Sequence, residues 1–135
     1  MSDSAQFALL VRVYWEDTDA AGIVYYANYL RFLERARTEW LRAKGYDQHE
    51  LSRRHAIVFV VRSTAVDFLR PARLDDDLRV TVDVVHLGAG SLDLRQHIER
   101  DNQTLVTAEV KIACVRIAAF QPVRIPRELR AALMR

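Results

Sequence analysis

The chain opens on a two-residue rhythm. From Phe7 to Tyr14, Leu9, Val11 and Val13 alternate with Leu10, Arg12 and Tyr14, which predicts a first strand. From about Ala27 to Lys44 the period changes. Tyr29, Leu33, Ala36, Trp40 and Leu41 recur at three-to-four spacing, Arg31, Glu34, Arg35 and Thr38 fill other positions, and Gly45 supplies a stop. At roughly 1.5 Å per residue such a helix spans on the order of 27 Å, enough to cross a small domain. A short helical piece follows at Gln48 to Arg54.

Ile57-Val58-Phe59-Val60-Val61 then starts a β-branched run reaching Phe68; being apolar on both faces, its first half is expected deep in a sheet. Pro71 and Asp75-Asp76-Asp77 break it. Leu78, Val80, Val82 and Val84 alternate with Arg79, Thr81 and Asp83. Gly88-Ala89-Gly90 turns the chain into Leu92, Leu94, Gln96 and Ile98, set against Asp93, Arg95, His97 and Glu99 on a polar face. Asp101-Asn102 turns it again into a strand from Leu105 to Ile117, and a helical end starts at Pro126. Short turns favour antiparallel neighbours, and one apolar sheet face must cover the long helix. The expectation is one α+β domain over residues 1–135, with the long helix packed on a five-stranded antiparallel sheet.

Composition narrows the classes of function. At 135 residues, half of them hydrophobic and 28% charged, the chain can bury a real core. A net charge of +2 without a basic stripe argues against a dedicated nucleic-acid binder. No segment approaches the roughly 20 apolar residues of a membrane span. Met1-Ser2-Asp3-Ser4-Ala5-Gln6 lacks the basic and apolar regions of a signal peptide, so a cytoplasmic protein is expected. The single cysteine, Cys114, shares parity with Val106, Ala108, Val110 and Ile112, which makes it a core residue. His49, His55, His86 and His97 lack metal-ligand spacing, so no metal is expected. Trp15 and Trp40 read as packing residues, and Glu34, among Arg31, Arg35, Arg37 and Thr38, as an ion-pair or hydrogen-bond partner.

The chemistry concentrates in Glu16-Asp17-Thr18-Asp19-Ala20-Ala21-Gly22-Ile23-Val24-Tyr25-Tyr26-Ala27-Asn28-Tyr29-Leu30, an acidic loop running into the long helix. A carboxylate near a helix N-terminus faces unpaired backbone N–H groups and the positive end of the dipole. That combination suits acyl transfer: donors polarise a carbonyl while an acid attacks it or activates water. The same residues also suit plain caps and turns.

Asp17-Thr18-Asp19-Ala20-Ala21-Gly22-Ile23-Val24-Tyr25-Tyr26-Ala27-Asn28-Tyr29-Leu30, followed by Glu34-Arg35-Ala36-Arg37, resembles the signature of hotdog-fold acyl-CoA thioesterases of the 4-hydroxybenzoyl-CoA thioesterase group, and within it the branch associated with the bacterial Tol–Pal system. Asp67-Phe68-Leu69-Arg70-Pro71-Ala72, Gly88 with Ser91, and Pro122-Val123-Arg124-Ile125-Pro126 extend the resemblance over nearly the whole chain. It implies Asp19 as the catalytic carboxylate and a backbone N–H near Tyr26 as the carbonyl donor. Asp17 shapes the loop. The resemblance also places Gly22, Ile23, Val24, Tyr25, Ala27, Phe59, Val60 and Ser91 around the substrate. It implies an acyl-CoA, or an acyl-carrier protein, as partner, no cofactor, and a homodimer or homotetramer with the acyl site at the subunit boundary. Two departures stand out. Tyr26 replaces a histidine usual in the Tol–Pal branch, and Gly88-Ala89-Gly90 lacks a basic residue that relatives use to meet coenzyme A phosphates; Arg70, Arg73, Arg124 or Arg127 would have to substitute. The competing expectations are a hotdog hydroxyacyl dehydratase, disfavoured by Tyr26 where a histidine would help, and a Tol–Pal or acyl-carrier adaptor with little turnover.

Overall fold

The computed structural model describes residues 5–135; residues 1–4 of the N-terminal stretch read for leader features lie outside them. The elements are β1 (Phe7–Arg12), α1 (Tyr26–Ala43), α2 (Gln48–His55), β2 (Ile57–Phe68), β3 (Asp77–Leu87), β4 (Ser91–Arg100), β5 (Gln103–Arg116), β6 (Gln121–Pro122) and α3 (Arg127–Met134). All strand pairs are antiparallel, in the order β1-β3-β4-β5-β2. The two-residue β6, which periodicity could not reveal, pairs with β5 at Val115 and Arg116.

The sheet curls round α1, which buries Tyr29, Phe32, Leu33, Ala36, Trp40 and Leu41 against it. Leu78, Val80 and Val82 of β3, Leu92, Leu94 and Ile98 of β4, and Val106, Ala108 and Val110 of β5 form the facing layer. One polar side chain enters this layer. Gln96 is fully buried, donates to Leu33 O (3.1 Å) and Thr81 O (3.2 Å), and accepts from Arg37 Nη1 (2.9 Å). Its amide thereby satisfies a helix carbonyl, a strand carbonyl and a guanidinium at once, as burial of a polar group demands.

Two expectations are corrected. The apolar start of β2 does not lie deep in the sheet: β2 is an edge strand, and α2 covers only its beginning, where Ile57 is buried and Gln48 exchanges two hydrogen bonds with the Phe59 backbone. Glu99 keeps the polar face of β4 beside His97, as expected, yet is buried there and pairs with Arg79 at 3.2 Å. Trp15 is 80% exposed, because a 3-10 turn over Trp15–Asp17 ends the first strand early and throws the indole outward; Trp40 is buried as expected.

Cys114 lies fully buried in the core, and burial pushes its thiol up. At neutral pH the thiol keeps its proton in both folded and unfolded chains; as pH rises through the ordinary thiol range the unfolded chain loses it first, so stability falls with increasing pH in that window. Reaction with an aromatic disulfide reagent at about pH 8 should accordingly track unfolding in urea. Rapid reaction of the folded protein would contradict the burial.

Candidate active site

The acidic loop is held by its own backbone. Asp17 anchors it: Oδ2 accepts from Tyr14 N–H (2.8 Å), and its carbonyl accepts from Tyr25 N–H (3.0 Å) and Asn28 Nδ2 (2.9 Å). Its shaping role is thus realised. Asp19 starts a tight turn in which its carbonyl accepts from Gly22 N–H (3.0 Å), its own N–H donates to Ile23 O (2.9 Å), and Oδ1 accepts from Ala21 N–H (2.8 Å). Gly22 closes the turn at φ +80°, in the left-handed region. Nothing crowds a Cβ there, so Gly22→Ala should cost about 1 kcal/mol of stability through backbone strain alone. A loss beyond about 3 kcal/mol in urea unfolding would point to a contact the turn does not contain.

Immediately downstream, α1 starts at Tyr26 behind Tyr25, which gives no side-chain cap. Asn28 N–H bonds Tyr25 O (2.8 Å), while the Tyr26 and Ala27 N–H groups find no acceptor among the described residues. The loop therefore presents an exposed carboxylate, Asp19, and two free amides at the positive end of an 18-residue helix. Such a pairing can bind a developing oxyanion and supply a base or nucleophile.

A second loop supports this one from behind. Val24 N–H donates to Ala72 O (2.9 Å), and Ile23 bridges Arg73. Ala72 N–H in turn donates to the buried Tyr29 hydroxyl (2.9 Å). Burial raises the Tyr29 phenol above its ordinary range, so it stays protonated. Asp76 Oδ2 accepts from Arg73 N–H (2.8 Å) and Arg100 Nη1 (2.7 Å), tying the second loop to β4. Tyr29, Asp76 and Arg100 were not foreseen in this role. The aspartate run gave only a breaker signal, and nothing local ties Arg100 to a loop 24 residues earlier.

The site residues fall into two groups. Asp19, Gly22, Ile23, Tyr25, Tyr26 and Ala27 gather on one surface; Val24 belongs to the same loop but turns its side chain into the core. Tyr26 stands at 5.0 Å from Tyr25 and edge-on to Phe68 at 6.1 Å, centroid to centroid, so aromatic rings join the helix start to the end of β2. Phe59, Val60 and Ser91 lie at the opposite end of the sheet, next to one another across β5: Val60 pairs with Ala113, and Ala113 with Ser91. Phe59 and Val60 line a pocket of about 380 Å³ with Glu34, Arg37, Thr38, Trp40, Leu41 and Gln48. Glu34 forms no ion pair among the described residues, contrary to expectation. Arg37 turns inward to Gln96, where burial lowers its guanidinium pKa against the opposing pull of Glu34.

Comparison with known proteins agrees with this architecture. A family model of the thioesterase-like superfamily matches residues 13–133. The acyl-CoA thioesterase YbgC of Haemophilus influenzae is 43% identical over 126 residues, 93% of each chain. The acyl-CoA thioester hydrolase YbgC of Escherichia coli O6:H1 is 42% identical over 122 residues, 90% of each. Among solved structures, gentisyl-coenzyme A thioesterase BH1999 superposes with a TM-score of 0.84 at 26% identity, covering 93% of this chain and 98% of that one. No helix among the described residues is long and apolar enough to cross a membrane. With the family model matched over residues 13–133 and relatives at 43% and 42% identity, this helix wrapped by a curled antiparallel sheet belongs to the thioesterase-like superfamily, as a thioester hydrolase of hotdog fold.

Proposed function

We propose that the protein hydrolyses a short-chain aliphatic or aromatic acyl-CoA to the free acid and coenzyme A, with Asp19 as the reacting carboxylate. The observation that carries this reading is the exposed Asp19 turn leading into the free Tyr26 and Ala27 amides. The thioester oxygen sits against those amides, whose partial positive charge grows in value as the carbonyl becomes an oxyanion. Asp19 then acts in one of two balanced ways. Direct attack forms a mixed anhydride and expels the coenzyme A thiolate, and water later cleaves the anhydride. Alternatively, Asp19 takes a proton from water, whose oxygen adds to the carbonyl before the thiolate leaves. A backbone donor makes the histidine-to-tyrosine exchange at Tyr26 tolerable, since every non-proline residue supplies an N–H.

The reading extends to a homodimer. In the single chain Asp19 lies open to water, which weakens every electrostatic interaction around it. The edge strand β2 is exposed on both faces from Val61 to Ala65, with Val61 and Phe68 among its exposed apolar side chains and Leu69 exposed just past its end. Antiparallel pairing of β2 with a second copy about its middle lays the Phe68 end of one strand beside the Ile57–Val60 start of the other. Asp19 and Tyr26 of one subunit then face the Phe59–Val60 pocket of the other, so two half-sites become one acyl site. Thiol release from a panel of acyl-CoA esters tests the activity. Turnover on at least one ester is expected. None on any CoA ester, with turnover on acyl-carrier protein, would reassign the carrier; none on either would defeat the hydrolase reading.

A further inference from the structure

One loop, between β2 and β3, carries both legs of the acidic segment. On the entry leg, Val13 N–H donates to Asp76 O (2.9 Å) and Asp75 N–H to Val13 O (3.0 Å). On the return leg, Val24 N–H donates to Ala72 O (2.9 Å) and Ile23 bridges Arg73. Helix α1 uses the same residue, since the Tyr29 hydroxyl accepts from Ala72 N–H (2.9 Å). Ala72 is fully buried. The Asp19 turn and the helix that presents the Tyr26 and Ala27 amides therefore both refer to Ala72.

The two peptide groups flanking Ala72 are held by one distant side chain. Arg100, at the end of β4, donates through Nη1 to Pro71 O (3.3 Å) and to Asp76 Oδ2 (2.7 Å). Pro71 O belongs to the peptide whose N–H goes to Tyr29. Asp76 Oδ2 also accepts from Arg73 N–H (2.8 Å), in the peptide whose carbonyl receives Val24. Asp75, beside it, is held at φ +68°, where a Cβ is costly, so the loop needs its ties to keep this shape. The Arg100 and Asp76 side chains are only 24% and 22% exposed, against 51% and 52% for the Arg95–Glu109 pair on the outer sheet face. Solvent and salt screen the inner pair less. Among the described residues, Arg100 makes no hydrogen bond to the acidic segment itself.

We propose that Arg100 is a positioning residue for the hydrolysis: with Asp76 it locks the peptides around Ala72, and these set the separation between the Asp19 carboxylate and the Tyr26 and Ala27 amides. The inference rests on the reading of Asp19 as the reacting carboxylate and extends it to a side chain remote from the thioester. Carboxylate and amides must converge on one carbonyl group, and a misplacement of about 1 Å costs on the order of 100-fold in rate. Without Arg100 the loop loses its tie to β4, and Val24 shifts with Ala72. The Asp19 turn, closed on its own backbone, then moves as a body. The helix amides still receive the carbonyl, so the loss falls on kcat and spares KM.

Arg100→Ala should lower kcat on an acyl-CoA ester at least about tenfold and leave KM within about twofold. Guanidinium added at millimolar concentration should restore part of the loss, and sodium chloride should not. Arg100→Lys, which keeps the charge, should retain more of kcat than Arg100→Ala. In the Asp19→Asn background the same replacement should add less than about a twofold loss, because no carboxylate is left to misplace. Arg95→Ala, which breaks the pair with Glu109, should leave kcat unchanged. By hydrogen exchange, the Val24 and Tyr25 amides of Arg100→Ala should exchange at least about tenfold faster, with Leu94 and Val110 unaffected. Unchanged kcat, an equal loss with and without Asp19, or unaltered exchange at Val24 overturns the positioning role. Should Arg100→Ala fail to fold, Asp76→Asn carries the same measurements with the same outcomes. Wild type that cleaves no thioester, or undiminished turnover in Asp19→Asn, defeats the reading of Asp19 instead, and exchange at Val24 then decides the tie by itself.

Discussion

Asp19→Asn should cut acyl-CoA turnover at least about 100-fold, roughly 2.7 kcal/mol of transition-state stabilisation, in a protein as stable as the parent. The two halves of that statement have separate grounds. Stability is spared because Asp19 is exposed and its side chain makes one local bond, from Ala21 N–H to Oδ1 at 2.8 Å, which an asparagine oxygen reproduces. The turn is otherwise built from backbone, Asp19 to Ile23 and Gly22 to Asp19. Activity is lost because an amide neither attacks a thioester nor accepts a proton from water. The decisive readout is kcat with KM little changed, since the free amides of Tyr26 and Ala27 still receive the carbonyl. Undiminished turnover in the variant would take the reaction away from Asp19. Glu34, which lines the pocket beside Phe59 and Val60, would then be the carboxylate to replace next.

The loop that carries Asp19 was legible because its fold is local. An aspartate, a glycine two residues after Ala20 and a helical period starting near Ala27 lie within one short stretch, and the Asp19–Gly22 turn closes on its own backbone, leaving only Ile23 and Val24 to lean on Arg73 and Ala72. The helix face was legible for the same reason: Tyr29, Leu33, Ala36, Trp40 and Leu41 all point inward. What stayed hidden depends on contacts between distant positions. Periodicity could not distinguish an edge strand from a central one, since Ile57–Val61 is apolar on both faces either way. Nor could it show that Gln96 and Arg37 meet 59 residues apart.

Thr64→Lys should dissociate the dimer and silence the enzyme together. Thr64 is exposed at the middle of β2 and lines a groove of about 230 Å³ with Leu30, Arg31, Leu33, Glu34 and Arg37. In the single chain a lysine there meets water and should cost little stability. Across a two-fold axis through the middle of β2, each new lysine faces its counterpart near Arg31 and Arg37, and like charges brought into an interface cost several kcal/mol. The dimer dissociation constant should rise at least about 100-fold, measured by light scattering across a concentration series. Acyl-CoA turnover per chain should fall in step with the dimer fraction and return as protein concentration is raised, because the proposed acyl site joins Asp19 to the Phe59–Val60 pocket only between subunits. Thr64→Ser, equal in polarity and uncharged, should keep both properties. A Thr64→Lys protein that stays dimeric would move the interface off β2. A monomer with full turnover would confine the acyl site to one chain, where the 11 residue steps of helix from Tyr26 to Arg37, at about 1.5 Å each, leave the Asp19 turn far from that pocket.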